Sequence, residues 1–392
     1  MSLAEDGLVR ITIGMTMFET VHTQASCFDD KGNLWLFSNE MNALFKIPKG
    51  SRQMLYVCSF QEKMFVTSLY TSMKCVNGKL LLTPCSAKNF VVYDIHSAEA
   101  EYYPIEKPAR IYFNTALLSD SVLVMFPVAF FEFAYVYDSE TEVFSKVRIH
   151  YPEFIGQKLK NNFPLFVGEA DLGGLAAFCV CKTDMYLKFN PLTGDTSISS
   201  IPGNGEYYKM AGKGSRLFFL NMAGDELLCL ENGAAKSLGL ETKTRQDVFS
   251  NGIPMGYGNL VMIGRRVYCI PFKGNPIYIF AEPGHILLRW NIDWKQVGAD
   301  TDTQPIVNVN VWDEKSYFLP YQGPVAISID SPQEPPEKII FSVADAGKEK
   351  FASRIFDSHH GEMVFESKSI SARYFLQYVR YAQNEPAYGE AR

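Results

Sequence analysis

Side chains able to do chemistry are sparse in this chain, and none of them forms a local catalytic motif. There are six histidines, of which His359 and His360 alone are adjacent. Neighbours on a strand project to opposite faces, so this pair is badly placed to share a metal and reads as a solvated loop. The eight cysteines, Cys27, Cys58, Cys75, Cys85, Cys179, Cys181, Cys229 and Cys269, include no Cys-x-x-Cys pair, the spacing that metal and redox sites use. Cys179 and Cys181 would share a strand face, yet no histidine or aspartate cluster stands beside them in the sequence, so core packing is their expected role. Gly203, Asn204 and Gly205, with Gly212 and Gly214 beyond, imitate a phosphate loop. No Lys-Ser/Thr pair follows and no helix starts there, which leaves two tight turns. The aromatic neighbours Phe130, Phe131 and Phe133, and Tyr207 with Tyr208, could stack a sugar or a base, although such pairs in strands are first of all core. Neither Gly-x-Ser-x-Gly nor His-Glu-x-x-His occurs. No cofactor and no metal are expected, and spacing names no catalytic residue.

Bulk composition narrows the classes further. Hydrophobic residues at 47% and charged residues at 20% are ordinary globular usage. The 37 Lys+Arg against 43 Asp+Glu give a net charge of −6, with no long run of one sign, so a nucleic-acid partner is not expected. The longest apolar stretch, residues 122–131, contains Pro127 and stops at Glu132, far short of the ~20 residues of a membrane helix. It is expected to form two buried strands joined by a proline bend. The first seven residues lack the basic start and apolar middle of a secretory signal. Cysteines within apolar runs and the absence of an Asn-x-Ser/Thr sequon agree with a reducing compartment. Cytoplasmic location is expected, with a secreted form whose leader was replaced at residues 1–3 as the alternative.

The elements that must carry these residues follow a repeat. Its first instance is a small-residue strand at Ala25, Ser26, Cys27 and Phe28, a turn at Lys31, Gly32 and Asn33, and an apolar strand from Leu34 to Phe37. A third strand ends before Pro48, and a fourth runs from Met54 to Val57. The turn after the third strand is the clearest landmark, at Pro48, Asp94, Asp138, Asn190, Glu231, Glu282 and Asp330. Successive intervals are 46, 44, 52, 41, 51 and 48 residues, with a mean of 47, inside the ~40 to 50 residues of a four-stranded propeller blade. Asp or Asn at the first turn position is explained by its side chain accepting a hydrogen bond from the backbone two residues on. The second strands, such as Gly78 to Leu82 and Ser121 to Met125, are apolar on both faces, as strands covered by neighbouring blades must be.

The expected fold is therefore all-β: a seven-bladed β-propeller of four-stranded antiparallel blades, six blades being the alternative, in a single domain over 1–392. Blades are placed at 22–60, 70–105, 112–150, 163–202, 206–240, 255–294 and 305–345, with no helix among them. Residues 8–13 alternate and could add a strand to the last blade, closing the ring. Residues 346–392 form an appendage with a strand at 362–366. A short C-terminal helix follows, capped by Ser369, with Phe375, Leu376 and Val379 on one face. The aromatic content of 14% is absorbed by packing between blades.

These residues carry a resemblance. Tyr137, Asp138 and Thr141, and Phe189, Asn190, Pro191, Leu192, Thr193 and Gly194, resemble blade turns of kelch-like, quinoprotein-type and regulator-type propellers, over roughly residues 20–345. The match is to architecture: one Gly-Gly pair, Gly173 with Gly174, and one Trp-Asp pair, Trp312 with Asp313, fall short of a repeat in every blade.

In such a fold the connections from an outer strand to the next inner strand share one face with the second-to-third strand loops. Here those connections are long and polar, and loops on a rigid scaffold are where binding residues concentrate. Residues entering the inner strands are the candidates for ligand or partner binding: His22, Gln24, Tyr70, Arg110, Asn114, Asn162, Tyr208, Arg245, Asn251 and Gln304. The expected function is a monomeric binding scaffold for a protein or a small-molecule or carbohydrate ligand. The alternative is a lyase or glycan-active enzyme whose catalytic residues are gathered from several blades.

Overall fold

The computed structural model describes residues 23–39, 41–62, 68–108, 111–203, 205–242, 246–247, 254–271, 275–282, 285–291, 306–320, 325–329 and 336–344. Their strands pair into consecutive four-stranded antiparallel meanders spanning 23–58, 70–104, 113–148, 166–200, 207–239, 257–290 and 306–340. The arrangement is a β-propeller, and the sheets are numbered here as blades in that order. First strands are innermost: those of blades 1 and 2, 3 and 4, 4 and 5, 5 and 6, 6 and 7, and 7 and 1 lie side by side. Between blades 4 and 5 the contact is close enough to pair in parallel, Glu169 with Ala211 and Ala170 with Gly212.

Burial follows strand position. Second strands are buried along almost their whole length, as in Leu34–Ser38, Lys79–Pro84, Val122–Pro127 and Ala176–Val180, because blades cover both of their faces. Outer strands alternate or lie open, as in Ala100–Pro104 and Ala234–Gly239. Aromatic rings fill the gaps between blades: Phe126 of blade 3 stacks on Phe178 of blade 4 at 4.4 Å, and Phe90 of blade 2 meets Tyr137 of blade 3 at 5.5 Å. Turn carboxylates and amides act locally. Asp94 Oδ1 accepts from the His96 and Ser97 amides at 2.7 and 2.9 Å, Asp138 Oδ1 from Glu140 at 2.9 Å, and Asn190 Oδ1 from Leu192 at 2.9 Å.

Two expectations need correction. Residues 122–131 form one strand, Val122–Pro127, rather than two. Pro127 has no amide to extend the ladder, so the chain turns there, and Phe130 and Phe131 fall in the connection before Phe133–Asp138. The connection after blade 3 also contains a π-helical turn, Ile155–Leu159, which buries Ile155 against blades 3 and 4. The strand over 8–13, the strand over 362–366 and the C-terminal helix lie outside the described residues.

Among the described residues, the last blade joins the first by a short parallel pairing. Ser342–Val343 runs parallel along the outer strand of blade 1, Gln53–Cys58, with the Ser342 amide on Arg52 O and the Ala344 amide on Met54 O, both at 3.0 Å. Leu34, Leu36, Phe45 and Met54 of blade 1 share one core cluster with Leu319, Ala326, Phe341 and Val343.

Candidate functional site

The inner strands owe their aim to a recurring irregularity. In blades 1, 2, 5, 6 and 7 the register against the second strand slips after the first paired residue, at Thr23/Ala25, Tyr70/Ser72, Tyr207/Lys209, Tyr257/Asn259 and Ile306/Asn308. In blade 4 it slips between Val167 and Ala170. A bulge bends the strand and redirects the residues that follow it. Those residues are Ala25, Ser72, Lys209, Asn259 and Asn308, all but the first polar on strands that are otherwise largely apolar.

Charge gathers on the same strands. Glu169 of Phe166–Asp171, Lys209 of Tyr207–Lys213 and Lys74 of Tyr70–Val76 come from three blades and are each half-buried. Burial raises the Glu169 carboxyl above its usual range, against the pull of Lys74 and Lys209. Burial likewise lowers the Lys209 ammonium, against the push of Glu169. Glu169 lies in the field of both lysines without an ion-pair contact among the described residues, so a carboxyl and an amine both biased toward neutrality sit on the neighbouring inner strands of blades 4 and 5. Such a pair can hold a polar ligand or trade a proton with one. Unsatisfied donors lie on the same strands: Asn308 Nδ2, at the register position of Lys209, and Thr71 Oγ1, in the blade 2 bulge, are buried without a partner.

The candidates from the sequence separate. Tyr70, Asn114 and Tyr208 stand at the entry of the inner strands of blades 2, 3 and 5. Tyr70 is fully buried between Phe37 and Phe60, with ring centroids at 4.9 and 5.9 Å, and burial raises its phenol far above the usual value. Tyr208 is buried too, its hydroxyl donating to Tyr257 O. Asn114 is half-buried and spends Nδ2 on Phe166 O at 3.0 Å, tying blade 3 to blade 4. Asn162 lies half-buried on the connection between those blades, its amide donating to Leu159 O at 2.9 Å. Gln24 occupies the blade 1 bulge. His22, Arg110, Arg245, Asn251 and Gln304 fall outside the described residues.

Lys74, Glu169, Lys209 and Asn308 were not anticipated. Each interrupts an apolar inner strand with a polar side chain, and that interruption is the one sequence signal that could have found them. Among the described residues, no group of three His, Cys, Asp or Glu side chains could hold a metal ion, and no helix is long and apolar enough to cross a membrane.

No protein-family model matches this chain, and no curated protein matches it. Solved structures do. Virginiamycin B lyase from Staphylococcus aureus superposes with a TM-score of 0.55 at 11% identity, covering 77% of this chain and 92% of that one. A streptogramin B lyase reaches 0.55 at 8% identity, over 78% and 94%. KlHsv2, carrying a Gly-Ser linker in place of its loop 6CD, reaches 0.50 at 7% identity, over 79% and 92%. At these identities the likeness is one of fold, and the chain is similar to these proteins as one β-propeller is to another.

Proposed function

We propose that this chain is a binding scaffold, a seven-bladed ring that takes a small polar ligand in the interior lined by its inner strands. One observation carries the reading: Lys74, Glu169 and Lys209 converge from three blades without pairing. Desolvated charges that gain no ion-pair contact destabilise a fold, so their retention argues for a use. Donors without acceptors on the inner strands of blades 7 and 2, Asn308 Nδ2 and Thr71 Oγ1, fit a ligand rich in oxygen. Arg110 and Asn162, on the connections that enter the ring, are proposed as rim contacts. All eight cysteines are free thiols, which supports a reducing compartment, and the self-closing ring supports a monomer.

A second reading has a specific basis. Glu169 and Lys209 have proton affinities displaced in opposite directions, as acid–base pairs in enzymes do, so the same interior could serve a lyase or glycan-active enzyme.

Thermal-shift screening with sugars and small organic anions separates these from a purely structural role. A stabilising compound is expected, with the shift lost in Lys209→Met and reduced in the Arg110→Ala, Asn162→Ala double variant. A shift that survives all of these substitutions overturns the proposal. Turnover of the stabilising compound, abolished by Glu169→Gln, would establish the enzyme.

A further inference from the structure

A second site lies away from that interior, where blade 7 meets blade 1. Three blade junctions are bridged by a basic residue at the start of a second strand. Lys79 of blade 2 bonds Glu142 of blade 3, Arg216 of blade 5 donates to Ala281 O of blade 6 at 3.1 Å, and Arg266 of blade 6 donates to Glu314 O and Oε2 of blade 7 at 2.6 and 2.7 Å. At the closing junction Glu337 of blade 7 meets both Lys315 of its own blade, at 4.0 Å, and Arg52 of blade 1, at 3.3 Å. A groove of about 660 Å³ opens there, between the first-to-second strand turns of both blades and the third-to-fourth strand turn of blade 1.

The groove has an aromatic wall. Trp312 lies 5.9 Å from Phe28, and Tyr317 meets Phe28 edge-on at 5.0 Å. Gly32 has φ of +80°, and a Cβ there would stand 2.5 Å from the indole, so the absence of a side chain lets Trp312 lie against the turn. Trp312 Nε1 is buried against that turn, so it is the rest of the indole that the groove can reach. Lys49 Nζ stands 5.5 Å from the indole centroid, with no carboxylate in ion-pair range among the described residues, whereas Arg52 is engaged by Glu337 at 3.3 Å. An indole face and an ammonium with no carboxylate in ion-pair range among the described residues together match a ring with an apolar face and a carboxylate.

We propose that this groove binds an acidic saccharide of the uronic-acid type. The pyranose face packs on Trp312 and the carboxylate pairs with Lys49. This site is independent of the ring interior.

Isothermal titration calorimetry on the full chain tests it, with digalacturonate as the probe and neutral galactobiose as its control. Digalacturonate is expected to bind, and galactobiose about tenfold more weakly. Lys49→Met, which keeps the aliphatic stem, and Trp312→Ala, which removes the indole surface, should each weaken digalacturonate about tenfold. Lys209→Met should leave its affinity unchanged. Unaltered thermal midpoints confirm that the variants fold, and a misfolded Trp312→Ala leaves Lys49→Met to decide. Absence of heat with digalacturonate, equal affinity for the neutral disaccharide, indifference to Lys49→Met, or loss of binding in Lys209→Met overturns the assignment.

Discussion

Asp29 closes the first turn of blade 1 almost single-handedly. Its carboxylate accepts from the Lys31 and Asn33 amides at 3.0 and 2.8 Å, from Asn33 Nδ2 at 2.8 Å and from Trp35 Nε1 at 2.9 Å. Burial alone would lift this carboxyl, but the bonds from Asn33, Trp35 and Lys31 outweigh it and hold the group below the usual aspartate value. A depressed folded-state value means stability that is complete above the unfolded value and disappears as pH falls through the folded one. Asp29→Ala should therefore cost about 3 kcal/mol at neutral pH, read from urea unfolding, and the loss should shrink below about pH 4. A pH-independent difference would show that the charge is not what matters. Turn chemistry of this kind was legible in the sequence at Asp94, Asp138 and Asn190, because donor and acceptor lie within three residues. Glu169, Lys209 and Lys74 were not legible as a group, since only ring geometry and bulges bring side chains of three blades together. Tyr70 and Tyr208 illustrate the converse. Their position at the strand entry was readable, but which way a tyrosine turns on a bulged strand was not.

At the scale of the element, inner strands must approach one another more closely than side chains allow. Gly168 is the tightest such place described between blades 4 and 5: φ is +71°, and a Cβ would fall 2.2 Å from Met210 O of blade 5. Gly168→Ala should destabilise by about 3 kcal/mol, because backbone on both sides must move. Gly239→Ala, on the open outer strand of blade 5 with nothing within 4 Å, should change stability by less than about 0.5 kcal/mol. Equal effects from the two would mean that the inner contact is looser than drawn. Second strands were readable as continuous apolar runs because both faces are covered. Pro127 was misread as a bend between two strands, since a proline can equally end a strand whose next residue leaves the sheet.

For the whole molecule, closure among the described residues runs through a short parallel pairing and the core cluster beneath it. Ser342→Pro removes the amide that reaches Arg52 O, and with it part of the outer stitch. It should lower the urea midpoint by the equivalent of about 1 to 3 kcal/mol and speed proteolytic cutting near the blade 7–blade 1 junction. Unchanged midpoint and cutting would show that the buried cluster alone closes the ring. The repeat was legible from its turns. The mode of closure was not, because it joins residues far apart in sequence: Arg52 and Glu337 pair across 285 positions.

That separation also has a consequence for biosynthesis. Blade 1 is the first to be made and the last to be covered. Until residue 343 has left the ribosome, Leu34, Leu36 and Phe45 wait without their partners Leu319, Phe341 and Val343. From the making of blade 1 to the making of blade 7 the nascent chain displays apolar side chains without these partners, and that exposure to aggregation ends only when the seventh blade arrives.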